Sequence, residues 1–109
     1  MEPTTQVSDW TEQIKKDIAS HDVFIFAKGE KNAAMCGFSH RVMQVFSVLE
    51  QDFEVRNIFQ DPEIRPALCA YTNWPTTPQV FIRGEFIGGC DIVMEMYENG
   101  ELKKKLAAQ

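Results

Sequence analysis

The sequence predicts an α/β domain with a mixed four-stranded sheet flanked by helices on both faces. Three observations support this prediction: a continuous apolar run, an alternation of strand-like and helical periodicity, and a tight turn between the last two strand-like segments. With 109 residues the chain is long enough for one hydrophobic core and too short for a second lobe. We therefore expect a single domain over residues 1–109, of which 1–7 form a flexible N-terminal segment.

The first two elements are a helix and a buried strand. Trp10, Ile14 and Ile18 recur every four residues, which predicts an amphipathic helix, and Ser8 stands before them as a candidate N-cap. The run Val23–Ala27 consists of apolar, mainly β-forming residues and is typical of a strand covered on both faces. We expect this strand at the centre of the sheet.

Cys36 lies at the predicted junction of a loop and a second helix. Residues 28–32 are turn-forming and predict a loop after the central strand. The helix that follows Cys36 buries the face that carries Val42, Val45, Phe46 and Leu49. Phe53–Ile58 alternates apolar and polar residues, and the helical crossover before it predicts a strand parallel to the first.

The third helix is predicted from its start. Asp61-Pro62-Glu63 combines a capping side chain, a proline suited to the first helical position and an acid in the first turn. Pro66 lacks an N–H group, so we expect it to disturb this helix slightly. The segment Trp74–Pro78 cannot be regular helix and therefore follows it as a loop.

The end of the chain predicts a β-hairpin and a last helix. Gln79–Ile82 and Phe86–Ile87 are predicted as antiparallel strands joined by the two-residue loop Gly84-Glu85. Gly88-Gly89 ends the hairpin at a place where the backbone must approach a neighbour closely. Asp91 is a candidate cap for the last helix.

The position of Cys36 at a helix start predicts a reactive thiol. Unpaired backbone N–H groups and the positive end of the helix dipole stabilise a thiolate there, which lowers its pKa. Cys36 is therefore a candidate nucleophile or metal ligand. Ser39 stands where a second cysteine would complete a dithiol motif, so Cys36 needs an external sulfur or a metal as its partner.

Charge and composition exclude several classes of partner. The net charge of −5 and the absence of a basic stripe argue against nucleic acid or an anionic membrane as the main partner. The polar start of the chain lacks the apolar stretch of a secretory signal, and no run approaches the roughly 18 apolar residues of a membrane span. Three cysteines suit a reducing compartment. We expect a cytoplasmic protein of a bacterium, with a processed organellar form as the alternative.

Four sequence blocks carry a resemblance to a known family. They are Lys28-Gly29, Cys36-Gly37-Phe38-Ser39, Trp74-Pro75-Thr76-Thr77-Pro78-Gln79 and Gly88-Gly89-Cys90-Asp91-Ile92. In this order and spacing, and with the element order given above, they resemble a monothiol glutaredoxin of the single-domain class, which implies a thioredoxin-like (glutaredoxin) fold. The resemblance extends from Trp10 to Leu106.

The resemblance implies two bound groups, glutathione and a [2Fe–2S] cluster shared across a homodimer. Such a cluster needs four ligands, and two Cys36 thiolates with two glutathione thiolates would supply them. Lys28 and Arg65 resemble the pair that holds the glycine carboxylate, and Thr77 would offer its backbone to the cysteinyl part, before a Pro78 bond expected to be cis. The implied glutathione-binding residues are Lys28, Cys36, Gly37, Phe38, Ser39, Arg65, Thr77, Pro78, Gly89, Cys90 and Asp91.

Two positions depart from the pattern that the family commonly has. Ala34 stands where a proline is usual, which predicts a more mobile loop and a more labile cluster. Thr77 stands where a bulkier residue is frequent, which predicts less side-chain cover over glutathione.

Three functions remain open on the sequence. The leading hypothesis is a carrier that transfers its cluster to apo iron–sulfur proteins. The enzyme alternative is a glutathione-dependent thiol–disulfide oxidoreductase with Cys36 as nucleophile, an activity that the resemblance implies to be weak. The third is an adaptor that shares the cluster with a BolA-like partner.

Several residues also have simpler interpretations. Lys28 and Arg65 could be ordinary surface cations, and Cys90 could be part of a groove wall or could pair with Cys36 on oxidation. Cys69 is predicted to be structural. No short cysteine or histidine spacing predicts a zinc site formed with His21 or His40.

Overall fold

The computed structural model describes residues 7–108, with side chains from Trp10 onward. Residues 1–6 of the segment expected to be flexible lie outside the described residues, and Val7 is already helical. The elements in chain order are α1 Val7–Ser20, β1 Val23–Ala27, β2 Gly29–Glu30, β3 Ala33–Ala34, α2 Gly37–Val48, β4 Glu54–Asn57, α3 Ile64–Thr72, β5 Gln79–Ile82, β6 Glu85–Gly88, α4 Cys90–Asn99 and α5 Glu101–Ala107.

The predicted mixed four-stranded sheet is confirmed. Its strand order is β4-β1-β5-β6, so the apolar strand β1 is internal. β1 pairs parallel with β4 and antiparallel with β5, and β5 pairs antiparallel with β6. The parallel pair follows from the crossover through α2, and it brings the carboxyl ends of β1 and β4 to the same edge of the sheet.

Alternate residues of β1 face two separate cores. Val23 and Ile25 are fully buried in a cluster with residues of α2 and α4. Phe24 and Phe26 are buried in a second cluster with residues of α1 and α3. The helices therefore cover both faces of the sheet, as the apolar run in β1 predicted. None of the helices between residues 7 and 108 is long and apolar enough to cross a membrane.

The segment predicted as a loop after the central strand is a small hairpin. Gly29 and Glu30 in β2 pair with Ala34 and Ala33 in β3 around a turn at Lys31-Asn32, so the turn-forming residues do turn the chain but between two short strands. Gly29 has a φ of +110°, and a Cβ there would lie 2.6 Å from the Ala33 oxygen. A glycine is therefore required at the base of this hairpin.

Two predicted helix starts are each wrong by two residues. α1 begins at Val7, so Ser8 lies inside the helix rather than at its N-cap. α3 begins at Ile64 with Glu63 at the N-cap, because the Asp61 carboxylate accepts a hydrogen bond from Arg56 Nη1 at 3.2 Å instead of capping the helix. Pro66 is then in the first turn, where its missing N–H group costs no intrahelical hydrogen bond.

The hairpin turn and the last cap also differ from the prediction. The turn residues are Arg83 and Gly84, with φ values of 49° and 82°, and Glu85 already belongs to β6. Positive φ at both central residues is the signature of a tight type I′ turn, which matches the twist of the strands. The N-cap of α4 is Gly89 in extended conformation, and Asp91 is an exposed residue of the first turn rather than the cap.

Candidate functional site

Cys36 is the N-cap residue of α2, at the carboxyl-terminal edge of the sheet. Its backbone is extended, with φ −146° and ψ 137°, and its carbonyl accepts the first helical hydrogen bond from His40 N at 2.9 Å. The side chain is half-buried. The thiol therefore lies at a helix N-terminus while remaining open to a partner, as the sequence predicted.

Several groups converge on the Cys36 sulfur and lower its pKa from the ordinary value. The largest cause is a hydrogen bond from the Ser39 backbone N–H, which partial burial opposes. The Phe38 backbone N–H, the Lys28 ammonium and the Ser39 hydroxyl add to the lowering. These are the interactions that make a cysteine at a helix start ionise more readily.

A cavity of about 360 Å³ lies at the same edge of the molecule. This volume falls in the roughly 300–1,000 Å³ range of small-molecule pockets. The lining consists of Lys28, Phe38, Arg65, Trp74, Thr76, Thr77, Pro78, Gly89, Cys90, Asp91 and Ile92. Eight of the eleven predicted glutathione-binding residues are in this set, and the other three are Cys36, Gly37 and Ser39.

The cavity has both signs of charge on its wall. Lys28 and Arg65 supply two cations from different elements, and Asp91 supplies an anion at the start of α4. Arg65 also donates from Nη2 to the Pro75 carbonyl at 3.3 Å. A ligand with carboxylates and an ammonium would match this arrangement, because Lys28, Arg65 and the N–H groups of α4 favour anions.

Ser39 is placed behind the thiol rather than in the cavity wall. It is fully buried, and its Oγ accepts a hydrogen bond from Lys28 N at 3.2 Å. Gly37 is the first residue of α2 and likewise does not line the cavity. Both residues lie next to Cys36, and neither lines this cavity.

The loop before β5 leaves one residue with unpaired backbone. The Thr77–Pro78 bond is cis, as expected. Among residues 7–108, no group forms a hydrogen bond with the backbone N–H, the backbone carbonyl or the hydroxyl of Thr77, although this residue is buried. These groups are free to pair with an extended ligand, in the manner of an added strand.

The side chain of Gln79, a buried residue of β5, binds the backbone of this loop. It is fully buried, and its Nε2 donates to the carbonyls of Trp74 and Thr76 at 3.1 and 3.0 Å. Together with the bond from Arg65 to Pro75, side chains bind three successive carbonyls of the loop. The sequence predicted Gln79 as the start of a strand and placed it in one of the four blocks that carry the resemblance, but not among the site residues.

Three cavity residues were not predicted as site residues: Trp74, Thr76 and Ile92. The indole N–H of Trp74 is buried without a partner in the described chain, and its ring packs edge-on against Phe86 at 5.7 Å between centroids. The signal for these residues was present, because all three belong to the sequence blocks that carry the resemblance.

The two glycines before α4 serve contacts within the chain. A Cβ on Gly88 would lie 2.9 Å from the Ile92 Cβ, and a Cβ on Gly89 would lie 3.3 Å from the Pro78 oxygen. The predicted close approach therefore exists, but its partners are these neighbouring residues.

The other two cysteines differ from Cys36. Cys90 is buried in the cavity wall, and burial raises its pKa, with Arg41 opposing and the charges of Asp91 and Cys36 adding to the increase. Cys69 lies in α3 and does not line the cavity. Across the described chain, no three His, Cys, Asp or Glu side chains are grouped so that they could hold a metal ion.

Comparison with known proteins identifies the family. The sequence model of the glutaredoxin family matches residues 23–87. The chain belongs to the glutaredoxin family. It is 46% identical over 95 residues to the probable monothiol glutaredoxin 2 of Rickettsia felis, covering 87% of this chain and 91% of that protein. It is 41% identical over 98 residues to glutaredoxin 4 of Escherichia coli, covering 90% and 85%. These relatives and the single cysteine of the Cys36–Ser39 motif identify a monothiol glutaredoxin.

Solved glutaredoxin structures have the same fold. The chain superposes on a buckwheat glutaredoxin–glutathione complex with a TM-score of 0.85 at 31% identity, covering 95% of this chain and 94% of that one. Reduced poplar apo GrxS14 gives a TM-score of 0.77 at 42% identity, covering 89% and 93%. The predicted thioredoxin-like fold of this glutaredoxin is thereby confirmed.

Proposed function

We propose that this glutaredoxin carries a [2Fe–2S] cluster as cargo and transfers it to apo iron–sulfur proteins. The observation that carries the proposal is the half-exposed Cys36, whose thiolate the N–H groups of α2 stabilise without a second thiolate from the same chain. Cys90 is the other cysteine at this cavity, and burial raises its pKa, which disfavours a second thiolate there. A cluster of this type needs four ligands, so one chain offers one and the others must come from outside.

Glutathione in the cavity would supply the second sulfur of each chain. Lys28 and Arg65 would bind one carboxylate, and the free backbone of Thr77 would pair with the cysteinyl part. Gly89, Cys90 and Asp91 at the start of α4 would bind the γ-glutamyl end, with the Asp91 carboxylate facing its ammonium. The cavity volume and its two cations support this assignment. A solved relative is described as a glutaredoxin–glutathione complex, which supports it further.

A second protein surface would complete the ligand set. Met35 and Phe38, on either side of Cys36, are 70% and 59% exposed, and Phe59 is 52% exposed. Phe59 follows β4 at the edge where Ile58 N donates to the Ala27 carbonyl at 2.9 Å, so this apolar residue lies at the Cys36 edge of the sheet. Exposed apolar side chains beside a ligand suit a protein contact. A second copy is the first candidate, and a BolA-like protein is the other.

The proposed function also includes a cellular compartment. We propose the cytoplasm of a bacterium. Glutaredoxin 4 of Buchnera aphidicola, 48% identical over 93 residues, and the Escherichia coli relative support the bacterial source. A rice relative described as chloroplastic, 43% identical over 93 residues, supports the alternative of a processed organellar form.

Anaerobic reconstitution with iron, sulfide and glutathione tests the carrier function. We expect a coloured dimer that contains iron, acid-labile sulfide and glutathione in equal amounts per chain. Cys36→Ser should lose all three, whereas Cys69→Ser is the matched control and should retain them. A colourless monomer without iron or sulfide would overturn the proposal. A change in the visible spectrum on adding a BolA-like protein would indicate that the cluster is shared with it.

The oxidoreductase is the second candidate, favoured by the same lowered pKa of Cys36. The Cys36 thiolate would attack the glutathione sulfur of a mixed disulfide and release the target thiolate. The thiolate of a second glutathione would then attack the Cys36-bound glutathione sulfur, forming glutathione disulfide and restoring the Cys36 thiolate. Steady-state turnover of a glutathionylated peptide measures this activity. Rapid turnover that Cys36→Ser abolishes would rank this function above the carrier.

A further inference from the structure

A small groove between α2 and α4 lies outside the site described above. Its volume is about 180 Å³, below the roughly 300–1,000 Å³ of small-molecule pockets. A space of this size suits a side chain of another protein better than a separate small molecule. The lining residues are Arg41, Gln44, Val45, Val48, Met94 and Tyr97.

The apolar residues of the groove form a continuous exposed surface. Val48, at the end of α2, is 60% exposed, although Val45 one turn before it is 5% exposed and belongs to the core. Met94 and Tyr97 on α4 are only partly buried against the same core. Because these side chains line one groove, they differ from the scattered exposed apolar residues of an ordinary surface. Contact with a partner would remove this surface from water.

The polar side chains of the groove have free hydrogen-bonding groups. Within residues 10–108, no hydrogen bond or ion pair involves the guanidinium of Arg41, the carboxamide of Gln44 or the hydroxyl of Tyr97. Arginine has only donors, and its preferred partner is a carboxylate. Glu95 and Glu98 on α4 are exposed but do not line the groove. The charge in its lining is therefore positive, which complements an acidic partner.

The groove continues towards the Cys36 cavity along one face of α2. Phe38 lines that cavity, and Arg41, Val45 and Val48 follow it at helical spacing. The ten residues from Phe38 to Val48 span about 15 Å along the helix axis. The Arg41 charge partly offsets the raised pKa of Cys90, which places the guanidinium near the start of α4. A segment bound in the groove would thus begin beside the cavity.

We propose that this groove docks an acidic segment of the apoprotein that receives the cluster. An apolar side chain of the segment would contact Val48 and Met94, and a carboxylate beside it would bind Arg41. The inference rests on the proposed carrier function, since it assigns how the acceptor is recognised. Arginine, tyrosine and methionine, which the groove combines, are enriched in protein interfaces.

An acidic acceptor fits the groove better than a second copy of the chain. In a symmetric dimer the same surface faces itself, so two Arg41 side chains would approach each other. An acidic segment would instead neutralise the charge. The net charge of the chain is −5, so the attraction is confined to the groove and is not a property of the whole surface.

The test uses the apo form of a [2Fe–2S] ferredoxin as the acidic acceptor. Calorimetric titration with the full chain free of cluster measures docking, and transfer from the reconstituted protein measures its effect on the carrier. We expect Kd to rise about threefold in Arg41→Gln and about tenfold in Arg41→Glu. Val48→Ser should raise it about fivefold without a change of charge. Transfer at limiting acceptor should slow by the same factors, with the cluster content unchanged.

Lys16→Glu is the matched control. Lys16 is exposed on α1, which packs on the opposite face of the sheet, and the substitution changes the net charge as Arg41→Glu does. It should leave Kd and the transfer rate unchanged. Equal weakening in this control would show a general charge effect and overturn the proposal.

Three further results would overturn the docking proposal. They are no saturable binding of the natural chain to the acceptor, an unchanged Kd in Arg41→Glu and Val48→Ser, and loss of self-association in these variants with acceptor binding retained. The last result would assign the groove to a second copy. A natural chain that takes up no cluster would refute the carrier function instead, and the titration without cluster would still decide whether the groove binds the acceptor.

Discussion

Two loops form the site, and the backbone of each is held by a buried carboxamide side chain. One carboxamide accepts a hydrogen bond from the loop backbone, and the other donates hydrogen bonds to it. In the Cys36 loop, residues 28–36, the oxygen of Asn57 accepts a backbone N–H. In the cis-proline loop, residues 73–78, the nitrogen of Gln79 donates to two backbone carbonyls. A carboxamide can serve both purposes because it has a donor and an acceptor end.

The difference determines which backbone groups each loop presents. The Cys36 loop and the first turn of α2 direct N–H groups, a hydroxyl and a lysine at one sulfur. The cis-proline loop has its carbonyls turned towards Gln79 and Arg65, which leaves the backbone of Thr77 unpaired at the cavity. The first loop therefore sets the charge of the thiol, and the second sets the shape available to a ligand. Substitutions that affect the Cys36 loop should therefore leave the shape available to a ligand unchanged, and substitutions that affect the cis-proline loop should leave the charge of the thiol unchanged.

The largest effect is expected for Gly29→Ala in the Cys36 loop. The residue has a φ of +110° and a Cβ would clash with backbone atoms at 2.6 Å, so we expect the free energy of unfolding to fall by roughly 2–4 kcal/mol. Gly37→Ala is the matched control, because a Cβ there meets nothing within 4 Å. Urea denaturation measures both. Equal stability of the two variants would mean that the hairpin is not rigid.

The next largest effect concerns Cys90, which lies beside both loops. With glutathione disulfide we expect Cys36 to form a mixed disulfide, from which the Cys90 thiolate then displaces glutathione to give an internal disulfide. Because burial raises the Cys90 pKa, the second step should accelerate about tenfold per pH unit below that pKa. The first step should level off at lower pH, above the lowered Cys36 pKa. Intact mass against time measures both steps, and a second step independent of pH would contradict this assignment.

Gln79→Met should affect the ligand and not the thiol. The variant keeps the side-chain length but loses both bonds to the cis-proline loop, so we expect glutathione to bind about tenfold more weakly. Titration calorimetry measures the affinity. The midpoint of Cys36 alkylation by iodoacetamide against pH in the same variant is the control and should not move; a shift would show that the two loops are coupled.

The smallest effect is expected for Arg65→Gln. This exposed cation would lose its charge towards a carboxylate, and we expect an approximately threefold loss of glutathione affinity that disappears at high salt. Lys104→Gln, an exposed lysine of α5 outside this cavity, is the control and should bind glutathione normally. A loss that persists at high salt would instead assign the effect to the missing bond with Pro75.

The sequence predicted those features that depend on local pattern. The apolar run of β1 predicted a strand buried on both faces, and the helix start at Cys36 predicted a stabilised thiolate. Some errors occurred where a contact outside the predicted element decides. Asp61 looks like a cap in sequence, but Arg56 on β4 binds its carboxylate. The short strands at residues 29–34 have no periodicity to detect.

The roles of Asn57 and Gln79 were not predicted, because their hydrogen-bond partners also lie outside their own strands. Asn57 and Gln79 act on backbone groups, and a hydrogen bond to backbone places no requirement on the residue type at its other end. Asn57 reaches Gly29 across 28 positions of the chain. Only the folded sheet brings them together, because β1 and β4 pair in parallel and their carboxyl ends meet.

The N–H groups that lower the pKa of Cys36 also make its sulfur a better leaving group. A thiolate that is already stabilised by hydrogen bonds from Phe38 and Ser39 gains less by binding a metal or another sulfur, and it departs from either partner more readily. The geometry at the start of α2 therefore favours release as much as capture. Any group that binds to this sulfur would thus be held by a bond that the same N–H groups weaken.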